Sequence, residues 1–293
     1  MKKNILLFFF LFGTIVSQAS TLPKIKILTT FSVLKDFAQQ VGKDRVIVDT
    51  LVPPNGDPHV YEPKPSDVKK ITSADLIFMN GLGFEGWMER LISAAQYKES
   101  SIICTAYIHP RLVLEDTVVK DPHAWHSVSN AKIYIRNIAN ALIKIDPQNA
   151  SYYEKNTQTY LQDLTSLDEH IRRSVDKIDL EKRKIITAHD AFGYFGNSYG
   201  IQFLSPQGVS TESEPSIRSV ISLIEQIKKL GIKTIFIENI SNPKIIHQIS
   251  RETNAKIGGT LYSDGLSESG GVASTYIKMI RHNFNLLLTA MKE

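Results

Sequence analysis

Between Ala150 and Ile178 no Pro or Gly interrupts the chain, and Tyr153, Tyr160, Leu164, Leu167, Ile171, Val175 and Ile178 recur on one helical face. A helix of that span is about 40 Å long at 1.5 Å per residue, enough to run the length of a domain. On either side of it the sequence shows one rhythm, a short apolar run followed by an amphipathic helical pattern. That alternation implies parallel sheets covered by helices. The fold class expected is α/β, with two lobes, each a parallel sheet flanked by helices, joined by one long connecting helix. The expected divisions are an N-terminal lobe over residues 21–146, the interlobe helix over 147–180 and a C-terminal lobe over 181–293.

In the first half, strands are expected at Lys24–Thr29, Arg45–Val52, Asp75–Met79 and Ser101–Thr105. The nearly all-apolar DLIFM run is typical of a strand covered on both faces. Ser32 is placed to cap a helix running to Val41, and further helices are expected over Pro65–Ser73, Trp87–Ala95 and Ser129–Ile145. After Asp146-Pro147 and the long helix, the second half offers strands at Lys184–Thr187, Ile201–Leu204, Thr234–Ile237 and Ala255–Gly258. Its helices are expected over Phe192–Tyr199, Ser216–Leu230, Pro243–Thr253 and Ser274–Met291.

Residues 1–20 read as a signal peptide: Lys2 and Lys3, an apolar core from Ile5 to Ile15, then Ser17-Gln18-Ala19. The apolar run is shorter than the roughly 20 residues of a spanning helix, which weighs against a retained anchor. The one cysteine, Cys104, excludes an intrachain disulfide and reads as a small apolar filler in a strand. No Cys follows the leader to take a lipid, so a soluble periplasmic protein is expected. With 34 basic against 30 acidic residues and no basic block, nucleic acid is not an expected partner.

Four loops carry the chemistry. Gly56-Asp57-Pro58-His59 and Asp121-Pro122-His123 repeat one motif, in which a proline stiffens the backbone just before an imidazole. Thr187-Ala188-His189-Asp190 and Tyr262-Ser263-Asp264-Gly265 each follow an apolar strand-like run, and open α/β sheets bind ligands at the carboxyl ends of their strands. His59, His123, His189 and Asp264 are therefore read as one four-ligand site between the lobes. Taken singly, each His is as well explained as a surface or structural residue, and Asp264 as an Asp-Gly turn residue. No pair has the short spacing of a zinc finger or of HExxH, so only folding could assemble the site. A His₃Asp set suits Zn²⁺, Mn²⁺ or Fe²⁺. Imidazoles must be neutral to ligate, so affinity is expected to fall below about pH 6.

The stretches GDPHVYEPKPSD, DPHAWHSVSNAKIYIRNIANAL, ITAHDAFGYFGNSYGIQ and IFIENISNPKIIHQISRETNAKIGGTLYSDGLSE span nearly all of the chain beyond the leader. Together they resemble the metal-binding receptors of bacterial manganese/zinc/iron ABC transporters, the class with a rigid interlobe helix. The resemblance implies two lobes with metal buried between them and places the family's ligand positions on His59, His123, His189 and Asp264. It implies Mn²⁺ or Zn²⁺ as transported ligand, with Fe²⁺ a third candidate. It also implies a membrane permease with its ATPase as partner, and a monomer. Some members carry Glu at the third position; this chain has His189. Nothing between Asp57 and Ile102 is His-rich beyond His59, unlike many dedicated zinc importers, which points away from a strictly zinc carrier.

Further residues have competing readings. His126 reads as a group behind the ligands or, preferred, as a surface residue of a helix start, and Glu238 as an acceptor orienting a ligand imidazole or as a residue lining the cleft. Trp125 and Tyr61 read as core aromatics or as packing beside the site. The Gly208–Glu214 loop, with Glu212 and Glu214, reads as a solvated loop or a docking surface. The competing function is an exported metallohydrolase with Glu62 or Glu238 as general base. Four protein ligands argue against it, since a catalytic zinc usually keeps an open position; no enzymatic activity is expected. A surface adhesin is disfavoured by the absence of repeats and of an anchor.

Overall fold

The computed structural model describes residues 23–98 and 101–293, so the leader expected over residues 1–20 lies outside the described residues. The first apolar run forms β1 (Ile25–Thr29), with β2 (Val46–Thr50) on one side and β3 (Leu76–Met79) then β4 (Ser101–Ile103) on the other. All pairings are parallel, in the order β2-β1-β3-β4. Every residue of β3 is buried, as its unbroken apolar sequence requires. The helices of this lobe are α1 (Ser32–Gly42), α2 (Pro65–Thr72), α3 (Met88–Ala94) and α4 (Val128–Ile145). Ser32 does not cap α1: Phe31 stands at the cap, and the Ser32 hydroxyl accepts from Leu266 N at 2.9 Å, tying α1 to the second lobe.

One element escaped the sequence reading. Leu112–Leu114 (β5) and Val118–Lys120 (β6) pair as an antiparallel hairpin between β4 and the His123 loop. Strands of this length, with Leu112, Leu114 and Val118 exposed, leave little periodic signal.

The connecting helix, α5 (Ala150–Val175), buries Tyr153, Tyr160, Leu164, Leu167, Ile171 and Val175, the face expected from periodicity. Beyond it lie β7 (Lys184–Ile186), β8 (Gln202–Leu204), β9 (Thr234–Glu238) and β10 (Lys256–Leu261). They form a second parallel sheet in the order β10-β9-β7-β8, the same winding as the first. Its helices are α6 (Gly193–Tyr199), α7 (Ile217–Leu230), α8 (Lys244–Thr253) and α9 (Tyr276–Met291). Ser216 and Thr275 cap α7 and α9 through their hydroxyls.

One dry core extends from Ile27 and Phe78 under the first sheet, through Leu164 and Ile171 of α5, to Ile185, Phe236, Leu261 and Met279 of the second lobe. A smaller cluster around Leu223, Ile227 and Ile246 packs beneath α7 and α8. Among the described residues no helix is long and apolar enough to cross a membrane.

Candidate metal centre

In both Asp-Pro-His motifs the Asp side chain folds back on the His backbone. Asp57 Oδ1 accepts from His59 N at 2.9 Å, and Asp121 Oδ1 accepts from His123 N at 2.9 Å. This Asx closure, with the proline between, sets each imidazole on a stiff loop. Trp87 Nε1 donates to Pro58 O at 2.8 Å and fixes the first loop, while Asn80 Nδ2 donates to Pro122 O at 2.9 Å and fixes the second.

The other two groups come from the second lobe. His189 follows β7, and its backbone N and that of Ala188 donate to Glu238 Oε1 at 3.0 and 2.7 Å. Glu238 ends β9, so the pair straddles the point where the strand order reverses, the usual ligand position in such sheets. Asp264 follows β10. Its loop is held across the lobe boundary by Trp125 Nε1, which donates to Ser263 O at 3.0 Å, and by Asn55 N, which donates to Leu266 O at 3.0 Å.

These loops bring His59, His123, His189 and Asp264 to one point, with a ligand atom of each within 4.8 Å of the others. His123 Nε2 lies 3.2 Å from His59 Nε2 and 3.4 Å from His189 Nε2. Asp264 Oδ2 lies 3.2 Å from His59 Nε2 and 3.3 Å from His189 Nε2, and Asp264 Oδ1 lies 3.4 Å from His123 Nε2. A cation with four ligands at about 2.0–2.1 Å holds them about 3.3–3.4 Å apart when tetrahedral. The five closest of these contacts, at 3.2–3.4 Å, are near that edge, while the whole set of four lies within 4.8 Å. Both Asp264 carboxylate oxygens are buried without a hydrogen-bond partner of good geometry, so their charge must be offset by the neighbouring imidazoles when protonated or by a cation that replaces those protons. His59 keeps 7% exposure while the other three have 0%, so the site meets solvent only at its His59 edge.

The outer contacts orient the rings through Nδ1, leaving Nε2 for a metal. His123 Nδ1 meets Asp121 Oδ1 at 2.8 Å. His189 Nδ1 lies 2.6 Å from Glu238 Oε2, a close ion-pair contact out of line for an ideal hydrogen bond. Electrostatics follow from this crowding. Burial opposes a charged His123, but Asp264 and Asp121 outweigh it and raise its pKa to about 9. His189 is raised well above its ordinary value because Glu238 and Asp264 overcome the same burial. Burial alone would raise Asp264; the His123 and His189 imidazoliums hold it well below the usual carboxylate range.

Other sequence expectations sort clearly. Of the two readings of Glu238, the contact with His189 Nδ1 favours the one that orients an imidazole. His126 is not at the surface. The turn Ala124–His126 carries it inward to full burial, packed against Phe192 at a centroid distance of 4.5 Å with the rings tilted by 43°. Burial, then the neighbouring His123, push its pKa down to about 3, and both ring nitrogens lack a partner. Trp125 is fully buried 5.2 Å from the His123 ring. Tyr61 packs at a tilt against Trp87 and donates to Asp67. The Gly208–Glu214 loop is not simply solvated: Thr211 Oγ1 donates to Asp57 Oδ2 at 2.6 Å, beside the His59 loop. Sequence reasoning missed Arg111, Asp190 and Tyr194, which surround Asp121; only the Asp of the repeated motif hinted at an outer acceptor.

Comparison with known proteins shows the family to which the chain belongs. The family described as zinc-uptake complex component A, periplasmic, matches residues 27–290. The chain is 35% identical to the iron-binding protein YfeA of Yersinia pestis, over 90% of this chain and 85% of that one. It is 34% identical to the manganese-binding lipoprotein MntA of Bacillus subtilis, over 96% and 94% of the two chains. The structure of the periplasmic zinc-binding protein TroA from Treponema pallidum superposes with a TM-score of 0.86 at 31% identity, covering 92% of this chain and 99% of that one.

Proposed function

This chain belongs to the zinc-uptake complex component A family, and from that premise we propose that His59, His123, His189 and Asp264 hold the ion it carries. It is the substrate-binding component of a metal ABC transporter, it acts outside the cytoplasm, and its cargo is Mn²⁺, Zn²⁺ or Fe²⁺. It is not an enzyme, and its macromolecular partner is the membrane permease with its ATPase. We place it in the periplasm, as the family description and the leader-like start suggest, and as a monomer, because one chain supplies all four ligands. Its mixed charge, 34 basic against 30 acidic residues, gives nucleic acid no basic block to bind. The lobes are assigned to residues 21–146 and 181–293, with 147–180 as the connector.

The observation that carries the ligand assignment is the spacing of 3.2–3.4 Å among the imidazole and carboxylate atoms around two unpartnered oxygens. Nothing in that arrangement prefers catalysis. Glu62 is exposed, and both oxygens of Glu238 are occupied by the His189 ring and by two backbone N–H groups. Calorimetric titration of Zn²⁺ and Mn²⁺ into the His123→Ala and Asp264→Ala variants tests the reading. Each should bind more weakly by more than the roughly 10–100-fold typical of losing an outer partner, while remaining soluble and folded. Wild-type affinity in both variants would remove the assignment.

A further inference from the structure

The β5–β6 hairpin belongs to the first lobe, yet it is fastened to the second at both ends. At its foot, Arg111 Nη1 donates to Asp121 Oδ2 at 2.7 Å, and Nη1 and Nη2 reach Asp190 Oδ2 at 3.2 and 3.1 Å. Asp121 is the acceptor that orients His123, and Asp190 directly follows His189. One guanidinium therefore spans the loops that carry a ligand from each lobe. The Tyr194 hydroxyl of α6 closes the same foot, accepting from Arg111 N and donating to Asp121 O, each at 2.9 Å. At the tip, Glu115 Oε1 accepts from Val209 N at 2.8 Å.

Both fastenings depend on a glycine in the opposite lobe. A Cβ on Gly193, at the first turn of α6, would collide with the Arg111 guanidinium carbon and its nitrogens. A Cβ on Gly208 would collide with the Glu115 carboxylate. Neither glycine has a positive φ, so backbone conformation does not demand them; the space they leave is filled by the hairpin's charged side chains. Without Arg111 the Asp190 carboxylate would lose its counter-charge, and the fully buried Asp121 carboxylate would keep only its His123 contact. Lysine could supply the charge but not the planar fork that reaches both.

We propose that Arg111 is a positioning residue for cargo retention: seated in the Gly193 notch, it locks the His123 and His189 loops across the lobe boundary and so sets how slowly the metal leaves. The inference rests on those histidines being ligands. Its test is the release of Zn²⁺ from the loaded full-length protein into excess chelator, followed in time. Arg111→Met should release Zn²⁺ about tenfold faster, the low end of what losing an outer contact costs. Gly193→Ala should do the same by evicting the guanidinium. The double variant should release no faster than either single one, because the added methyl then occupies space the guanidinium has left. A role confined to fold stability would instead lower the metal-free melting temperature and leave the release rate unchanged. Wild-type release from Arg111→Met, or single effects that multiply in the double variant, would overturn the proposal. Gly193→Ala reaches the same contact from the other lobe and decides the question by itself if Arg111→Met does not fold. A wild-type chain that fails to bind Zn²⁺ would remove the site assignment and this inference together, whereas indifferent release rates would remove only the inference.

Discussion

Replacing Glu238 by Gln perturbs the centre while leaving all four proposed ligands in the chain. The side chain is fully buried, with Oε1 accepting from Ala188 N and His189 N, and Oε2 set 2.6 Å from His189 Nδ1. A His189 that ligates through Nε2 must carry its proton on Nδ1, so it needs an acceptor there. Glutamine cannot satisfy both sides. If its oxygen faces the two backbone donors, its amide nitrogen meets Nδ1–H; if it flips, the amide nitrogen meets two backbone N–H groups. Either way a buried donor is orphaned, at about 1–3 kcal/mol. The expected weakening of Zn²⁺ binding is thus about 10–100-fold, or roughly 1.4–2.7 kcal/mol. Competition against a chelator of known affinity measures it, with circular dichroism confirming that the metal-free variant is folded. Affinity within twofold of wild type would refute the claim that Glu238 fixes the tautomer and orientation of His189.

Two further outcomes concern pH. In the empty site His123, with its pKa raised to about 9, and His189, raised well above its ordinary value, hold protons at neutral pH, so an incoming cation must expel them. Affinity should climb as pH rises from about 6.5 towards 9, a window higher than the fall below about pH 6 expected from unperturbed imidazoles; a flat profile in competition titrations would contradict it. The stability these imidazoliums lend the empty protein is complete below 6.5, the ordinary value, and fades as pH rises through about 9. His126 behaves oppositely: with its folded pKa pushed down to about 3, its contribution is intact above 6.5 and is lost as pH falls. Denaturant melts of wild type and His126→Phe should therefore diverge by about 1.4 kcal/mol per pH unit below 6.5, and parallel curves would show that the buried ring titrates normally.

What could be read from the chain alone divides along physical lines. The strands β3 and β9 were legible because they are buried almost throughout, so LIFM reads as an unbroken apolar run and TIFI nearly so, whereas β2 was legible from its alternation. The α5 face was legible because its period persists over many turns. The ligand loops were legible because Asp-Pro-His occurs twice, and the folded chain shows the same Asx closure in each. The β5–β6 hairpin was not, since Leu-Val-Leu and Val-Val-Lys are too short to show a period and expose alternate side chains. His126 was misplaced because a helix start usually faces water, whereas this one is roofed by Phe192 and Trp125. Arg111 was invisible as a bridge because its partners, Asp190 and Gly193, are distant in sequence and belong to the other lobe.

The uninterrupted core beneath the cleft restricts how cargo can be handed over. Swinging the two sheets wide apart would wet side chains such as Leu164, Leu167 and Ile171, now fully buried, at roughly 1.5–3 kcal/mol each. Unloading should therefore be a roof event: a handful of polar latches let go above an unmoved foundation, and the outline of the molecule stays nearly the same whether its vault is full or empty.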